Sequence, residues 1–308
     1  MATITRTDIE SLIEEEYNHT LLNSATTTST ALSAFETVSM GNKVQNMPAL
    51  NTRPTASFVG STAETRTKPT TTFTFENKKL SAEEIAAIIV LNEEDLEDAN
   101  DDLLSRAAAL GGEAIGRTLD KAILFGVDKP TAWASPDLFA AATAAGAVFQ
   151  VGTGDADLVG SIFKAAEHVD DSGANPDGFL SRKGLKYRLA NLRDNTNAPI
   201  YIPSLSTAPG SVDSVAGLDA YWSANGAWDR TKALGMVADT KSVIVGIRSD
   251  ISVKFLDQAT VNGVNLAEND QVALRFRARY AYVLADVVGT DGDRKSPVSA
   301  ITPAAEGA

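Results

Sequence analysis

The longest helical pattern in the sequence covers residues 100–126, and it constrains the fold more than any other stretch. Apolar residues recur there at spacings of three and four, in two adjacent rows. Gly126 followed by Pro130 predicts the end of the helix. At 1.5 Å per residue this spine helix spans roughly 40 Å, so it needs a large partner surface. The rows are Leu103, Ala107, Leu110 and Ala114, beside Leu104, Ala108, Ile115, Leu119 and Ala122.

Three glycines, Gly111, Gly112 and Gly116, interrupt the spine helix. Each costs about 1 kcal/mol relative to alanine inside a helix. They therefore predict close backbone approach by a neighbouring element or a bend. A kinked core helix is the equally open alternative.

Acidic residues crowd the segment before the spine helix, and no lysine or arginine occurs between Lys79 and Arg106 to neutralise them. Helix N-termini favour anions, which explains part of this cluster locally. A basic partner would explain the rest. The acids are Glu93, Glu94, Asp95, Glu97, Asp98, Asp101 and Asp102.

The clearest strand pattern lies near the C-terminus, where Val272, Leu274, Phe276, Ala278, Tyr280 and Tyr282 alternate with other residues. The opposite face carries Arg275, Arg277 and Arg279, so the pattern predicts one buried and one strongly basic side.

Residues 81–91 are ambiguous. Ser81 and Glu84 fit a helix cap, whereas Ile85 and the apolar residues 88–91 fit a buried strand. We predict a strand for the second half.

The remaining patterns predict a mixed α/β region and further strands. Residues 136–150 are alanine-rich, residues 158–169 and 180–192 are amphipathic helical patterns, and residues 199–221 are short extended pieces. Residues 241–248 and 251–256 fit strands, and Asn262-Gly263 signals a turn before the next strand. After Gly289 we expect a polar tail.

The N-terminal region predicts an arm followed by a projecting hairpin. Thr7 and Glu10 form a capping box before apolar residues at helical spacing, and a Thr/Ser-rich connection follows. From Val44 onward the pattern is extended, and the polar tip at residues 60–68 has few groups for a core. Such a hairpin projects towards a partner rather than packing on its own subunit.

Composition narrows the function classes. The chain has 308 residues, 44% of them hydrophobic, with a net charge of -13 and a pI near 4.6. This acidity argues against free DNA as a high-affinity ligand. The absence of cysteine rules out disulfides, thiolate zinc sites and iron-sulfur clusters. No apolar run approaches the length of a membrane span, and the charged N-terminus is unlike a signal peptide, so we expect cytosolic synthesis.

The sequence contains only weak candidates for a catalytic or ligand-binding motif. His168, in the segment Glu167-His168-Val169-Asp170-Asp171, could ligate a metal, but a surface turn explains the same residues far better. Gly152-Thr153-Gly154 starts like a dinucleotide loop without the third glycine. A basic cluster at residues 182–193 fits the solvated face of an amphipathic helix better than nucleic-acid binding. We predict no cofactor, no metal and no enzymatic activity.

Three segments resemble the major capsid (head) proteins of tailed bacteriophages, with the Hong Kong phage-type capsid fold. "AFETVSMGNKVQNMPAL" at residues 34–50 is similar to the family's approach to its hairpin, and Glu64 sits where the hairpin tip commonly carries a glutamate. "IIVLNEEDLEDANDDLL" at residues 88–104 resembles the strand, acidic turn and spine. "VALRFRARYAYVLAD" at residues 272–286 is similar to the family's final peripheral strand. The similarity weakens between residues 132 and 238.

The resemblance implies an α+β fold with five parts. These are an N-terminal arm (1–45), an extended β-hairpin loop (46–80), a peripheral domain with the spine helix and a β-sheet (81–134 and 238–290), a mixed α/β axial domain (135–237) and a C-terminal tail (291–308). In the family the hairpin overlaps the adjacent peripheral domain. The intersubunit contact candidates are therefore Glu64, Arg66, Lys68, Lys78, Lys79, Glu93, Glu94, Glu97, Asp98, Arg275, Arg277 and Arg279.

The implied function is self-assembly into hexamers and pentamers of an icosahedral head enclosing double-stranded DNA. Expected partners are other copies of the chain, with scaffolding, portal and decoration proteins as further candidates and no sequence-specific DNA binding or membrane. The location would be the virion, assembled in the host cytoplasm. An encapsulin-type nanocompartment shell and an acidic enzyme with an unrecognised site are the alternatives. Because only about forty residues precede the hairpin, we expect no fused scaffolding domain and a mature chain that starts at Met1 or Ala2.

Overall fold

A computed structural model describes residues 29–52, 56, 58–59, 68, 70, 74–94, 103–152, 156–192, 214–285, 287–288 and 294–304. Within these ranges the chain forms five α-helices and sixteen strands. The helices are α1 (Thr30–Ala34), α2 (Leu103–Phe125), α3 (Leu138–Ala144), α4 (Ala156–Asp171) and α5 (Lys183–Ala190).

The strands fall into two main sheets and three two-stranded pairs. They are β1 (Glu36–Ser39), β2 (Val44–Thr52), β3 (Thr74–Ser81), β4 (Glu83–Asn92), β5 (Val148–Gln150), β6 (Gly178–Arg182), β7 (Ser214–Val215), β8 (Leu218–Ser223), β9 (Gly235–Ala238), β10 (Val243–Leu256), β11 (Thr260–Val261), β12 (Val264–Asn265), β13 (Gln271–Leu284), β14 (Val287–Val288), β15 (Arg294–Lys295) and β16 (Val298–Thr302).

The predicted spine helix is α2, with 23 residues and a length of about 35 Å. It ends where expected, because Gly126 has a φ of 68° and its N–H bonds the carbonyl of Ala122, 3.2 Å away. The N–H of Val127 reaches the carbonyl of Lys121 at the same distance. The expected start at residue 100 lies outside the described residues.

One predicted apolar row of the spine helix is only partly correct. Ala108, Ile115, Leu119 and Ala122 are buried as expected, but Leu110 is 62% exposed and Ala114 is also exposed. The buried stripe is therefore narrower than the two predicted rows, and the side of the helix that carries Leu110 and Ala114 faces solvent.

The four-stranded sheet, in the order β1-β10-β13-β4, contains the predicted C-terminal strand near its centre. Strand β13 runs antiparallel to both neighbours, whereas β1 is parallel to β10. One face packs against α2 and forms the largest core cluster, with Phe276 and Tyr282 almost fully buried. We call this the inner face and the opposite one the outer face.

Close backbone approach is confirmed at Gly111. A Cβ atom there would lie 2.9 Å from the ring of Phe276 on the inner face, which is closer than carbon atoms pack. Gly112 and Gly116 are also buried. The glycines therefore let the helix lie directly on an aromatic side chain of the sheet.

The second main sheet has six strands in the order β5-β16-β9-β6-β8-β7. Helices α4 and α5 cover it and share a separate core cluster that includes Leu158, Leu185 and Phe179. The expectation of a polar tail after Gly289 is wrong for β16, whose Val298, Ala300 and Ile301 are fully buried. The strand inserts between β5 and β9, which are distant in sequence.

Several local assignments also change. The ambiguous stretch is strand from Glu83, because Ile85 and Ile89 pack inward while Glu84 and Ile88 point outward. The helix expected over 180–192 starts only after Arg182, since residues 178–182 pair with β8 and β9. The two strands expected over 241–256 are one strand, β10, with irregular pairing in the middle. The Asn262-Gly263 turn is confirmed by positive φ angles.

Replacing Gly111 by alanine should destabilise the fold by about 1–3 kcal/mol, because the added methyl group overpacks against Phe276. The matched control is Gly160→Ala in α4, where no atom lies within 4 Å of the added Cβ. That substitution should stabilise the protein by about 1 kcal/mol through helix propensity. Urea unfolding of the unassembled chain measures both. Equal stabilisation by the two alanines would contradict the tight contact.

Candidate functional site

The structure pairs the two strands of the predicted hairpin but describes only part of its charged residues. Strands β2 and β3 run antiparallel, with Asn46 opposite Lys79. Lys79 and Lys68 are exposed. Lys78 is half-buried and donates to the carbonyl of Leu284, 3.1 Å away. Glu64 and Arg66 lie outside the described residues.

The base of the hairpin packs on the outer face of the four-stranded sheet. Leu80 is fully buried there and joins a cluster with Met40, Ala281 and Val283. Gly246 permits this contact, since a Cβ would lie 2.5 Å from Leu80 and from the sulfur of Met40. The base of the hairpin is therefore fixed to its own sheet.

A buried hydrogen bond adds to this anchor. The indole Nε1 of Trp133 donates to the carbonyl of Ser81, 3.0 Å away, and Trp133 itself is 3% exposed. Its ring packs against Tyr282, whose hydroxyl donates to the carbonyl of Pro136 at 2.9 Å. Breaking the anchor would leave a buried donor without a partner, so the chain holds the hairpin base firmly.

The rest of the outer face is basic, as the sequence predicted. Arg275, Arg277 and Arg279 occupy alternate positions of β13 and are half-buried. Arg275 lies opposite the exposed Lys254 of β10. We call these four residues the basic sheet face.

Among the described residues, one arginine of this face forms an ion pair. The guanidinium of Arg279 lies 3.2 Å from the carboxylate of Glu84 on β4. Arg275 and Arg277 instead face Ile88 and Ala86, and Ile88 is 47% exposed. The surface thus combines exposed apolar area with two guanidiniums that have no ion-pair partner among the described residues.

The acidic segment begins directly at the end of β4. Glu93 and Glu94 are exposed, and the N–H of Glu93 bonds the carbonyl of Asp270, 2.9 Å away. Glu97 and Asp98 lie outside the described residues. The start of the acidic segment is therefore fixed at the edge of the basic sheet face.

The structure also reveals a buried carboxylate that the sequence patterns missed. Asp120 of α2 is fully buried and accepts four hydrogen bonds. Its Oδ1 accepts from the hydroxyl of Ser29 and the N–H of Ala31, at 2.7 and 2.9 Å. Its Oδ2 accepts from the N–H of Thr30 and the amide of Asn225, at 2.9 and 2.7 Å.

Asn225 extends this network into the second sheet. Its Oδ1 accepts from the hydroxyl of Ser223 at the end of β8 and from the N–H of Ala227. Asp120 therefore joins three segments that are about 90 to 105 residues apart in sequence. Burial raises the pKa of Asp120 above its ordinary value of 3.8, although all four donors act in the opposite direction.

The described part of the chain shows no metal site, and Thr153 and Gly154 of the loop compared with a dinucleotide loop lie outside the described residues. The described part contains no group of three or more His, Asp or Glu residues placed to hold a metal ion. The ring of His168 packs edge-on against Phe149, 5.9 Å between centroids, as a partly buried aromatic does. No helix in the described ranges is long and apolar enough to cross a membrane.

Comparison with protein families gives one match that covers most of the chain. Residues 10–289 match the phage capsid family. No curated protein matches the chain.

Solved structures extend the match to the whole chain. A structure from Mycobacterium phage Adephagia is 42% identical, with 100% of both chains covered and a TM-score of 0.81. One from Mycobacterium phage Bobi is 44% identical over 100% of both chains, with the same TM-score. A capsid of an empty GTA particle is 15% identical over 90% of both chains, with a TM-score of 0.60, which supports the fold alone.

Asp120→Asn should change how stability depends on pH. A raised folded-state pKa means that the stabilising contribution of Asp120 is complete below the ordinary value of 3.8 and is lost as pH rises through the raised pKa. Asparagine cannot titrate, so the wild-type free energy of unfolding should fall relative to that of the variant across this window. Denaturant titrations at a series of pH values measure the difference.

The exposed Asp170 supplies the matched control. Asp170→Asn removes a carboxyl group at an exposed position, so it measures the effect of losing a surface carboxylate. A pH-independent difference between wild type and Asp120→Asn would show that burial does not govern the titration of Asp120.

Proposed function

The chain belongs to the phage capsid family, and from this we propose that its copies assemble into the hexamers and pentamers of an icosahedral head that encloses double-stranded DNA. As a major capsid protein it forms the shell of the phage head, which is a structural role. The observation that carries the proposal is the family match over residues 10–289, together with the 42% identity across the full length of a phage structure.

Electron microscopy and light scattering of the purified chain test this assembly. We expect capsomers or closed shells, because a projecting hairpin and an exposed basic sheet face require partner surfaces. A chain that stays monomeric at every salt and protein concentration would contradict it. Particles from infected cells should contain DNA, whereas an enzyme cargo would indicate a nanocompartment instead.

The two sheets support a division into a peripheral domain (residues 81–134 and 238–290) and an axial domain (residues 135–237). The four-stranded sheet and α2 belong to one core cluster, and α4, α5 and one face of the six-stranded sheet form another. The other face of the six-stranded sheet, with Leu180, Met236 and Ala300, belongs to the first cluster and so lies where the two proposed domains meet. Strand β16 extends the proposed axial domain beyond its sequence-based limit, because it pairs with β5 and β9. The axial domain would surround the symmetry axis of each capsomer.

The hairpin is the first proposed contact between copies. Its tip would lie across the acidic segment of the neighbouring peripheral domain, where Glu93 and Glu94 are exposed and Glu97 and Asp98 follow in sequence. Glu64, Arg66, Lys68 and Lys79 would line the contact, while the base stays fixed by Leu80 and Lys78. Each exposed ion pair contributes only about 0.2–1 kcal/mol, but the contact repeats around every capsomer.

The basic sheet face is the second proposed contact. Arg275 and Arg277, with Ile88 beside them, form a surface that combines positive charge with apolar area. Acidic segments are plentiful on a chain of net charge -13, so another copy can supply the complementary surface. The same acidity keeps DNA from binding strongly to the shell as a whole. Scaffolding, portal and decoration proteins remain expected partners of a head assembled in the host cytoplasm.

Charge reversal tests both contacts in one assay. Arg66→Glu with Lys68→Glu should reduce assembly, and Glu94→Lys with Glu97→Lys in the same chain should partly restore it. Arg275→Glu with Arg277→Glu should also reduce assembly. Light scattering at increasing salt measures the effect, and wild-type assembly should weaken as salt screens the pairs.

Lys164→Glu with Lys241→Glu is the matched control, because it makes the same charge change at exposed positions outside both surfaces. Its assembly should resemble that of the wild type. Normal assembly of the Arg66/Lys68 variant at low and moderate salt would exclude the hairpin contact. The same result for the Arg275/Arg277 variant would exclude the basic sheet face.

A further inference from the structure

A small cavity in the proposed axial domain is ringed by three arginines. Its volume is about 140 Å³. Leu185, Trp228 and Leu234 supply apolar walls, and the indole of Trp228 is held by a 2.7 Å bond to the carbonyl of Ala233. No acidic side chain belongs to the described lining. We call this cavity, with Arg182, Arg188 and Arg230 at its edge, the arginine pocket.

Sequence patterns predicted only part of this group of arginines. Arg182 and Arg188 belong to the predicted basic helix, but Arg230 comes from the loop before β9. The neighbouring Asp229 forms no ion pair with Arg230; its Oδ1 accepts from the N–H and hydroxyl of Thr231, at 3.0 and 2.6 Å. Folding therefore gathers guanidiniums around a space large enough for one carboxylate-bearing side chain.

Local helix electrostatics do not explain the position of Arg182. Arg182 is the N-cap of α5 and makes no side-chain capping bond, although a helix N-terminus disfavours cations. The opposite mismatch occurs on α4, whose last turn contains the exposed Asp170 and Asp171 at an end that disfavours anions. Arg182, Asp170 and Asp171 therefore carry charges that the dipole of the adjacent helix disfavours, whereas Arg188 lies in the last turn of α5, where the dipole favours a cation.

The two charge sets lie at opposite ends of β6. The acidic end is marked by Asp219, which is exposed and pairs with the first residue of the strand, Gly178. There the pKa of Tyr221 is raised, first by burial and then by the charges of Asp219 and Asp177. Arg182 is the last residue of the strand, about 13 Å further along. The two charge sets are therefore too far apart to form ion pairs with each other within one copy.

We propose that the arginine pocket of one copy receives the acidic end of the next copy, formed by Asp170, Asp171 and Asp219, in a head-to-tail contact around the capsomer axis. This rests on the proposed capsid assembly. A contact between two different surfaces of identical subunits closes into a ring when the rotation permits. The small volume and apolar walls favour a side chain over duplex DNA, which requires an extended basic track.

Charge reversal with rescue is the first arm of the test. Arg182→Glu with Arg230→Glu should raise the concentration needed for half-assembly about tenfold or more, because like charges then face each other. Asp170→Lys with Asp171→Lys should do the same, and the four changes together should recover assembly. The Lys164→Glu, Lys241→Glu control should match the wild type. Unchanged assembly of Arg182→Glu/Arg230→Glu would overturn the contact while leaving the shell function intact.

Disulfide trapping is the second arm and does not depend on how reversed charges affect folding. The chain contains no cysteine, so Asp171→Cys and Arg230→Cys introduce the only two thiols. Oxidised particles of this double variant should give a ladder of covalent oligomers on non-reducing gels. Asp171→Cys combined with Lys254→Cys should not. Only monomers from well-formed particles would overturn the contact, whereas a wild type that never assembles would refute the proposed assembly as well.

Discussion

The buried carboxylate of Asp120 is the interaction on which the arrangement of the chain depends. Four donors from the entering segment and from Asn225 converge on it. Burying an ionisable group costs free energy unless hydrogen bonds satisfy its oxygens. The carboxylate therefore requires these donors, and the donors require the carboxylate. Because α1 is only five residues long, it needs this external acceptor at its first N–H groups.

The hydrogen bonds to Asp120 fix how the entering segment approaches the four-stranded sheet. The segment after Ser29 packs on the α2 side, and the chain then continues through β1 along the edge of the sheet to the hairpin on the outer face. The inner face is filled by the spine helix, down to direct contact between Gly111 and Phe276. The outer face is divided between the anchored hairpin base and the basic sheet face. The inner face of the sheet therefore forms the core, and the outer face carries the exposed charges.

Sequence patterns predicted the elements whose signal is local. The alternation around Phe276, the helix that ends at Gly126 and the turn at Asn262 each lie within a short window, and the structure confirms them. Strand β16 was missed because its burial depends on pairing with residues about 60 and 150 positions earlier. Its apolar residues Val298, Ala300 and Ile301 were the available signal. Asp120 gave none, since its donors lie far away in sequence.

The charges at the arginine pocket and at the acidic end include some that disagree with the preference of helix ends for one sign of charge, and we interpret them as contacts for assembly. Arg182 at the start of α5 and the two aspartates at the end of α4 carry charges that the adjacent helix dipole disfavours in an isolated subunit. A shell protein gains from contacts that are weak one at a time and repeated many times, because individual errors can then dissociate while the closed shell persists. Charges that are unfavourable in one copy and complementary between copies meet that requirement.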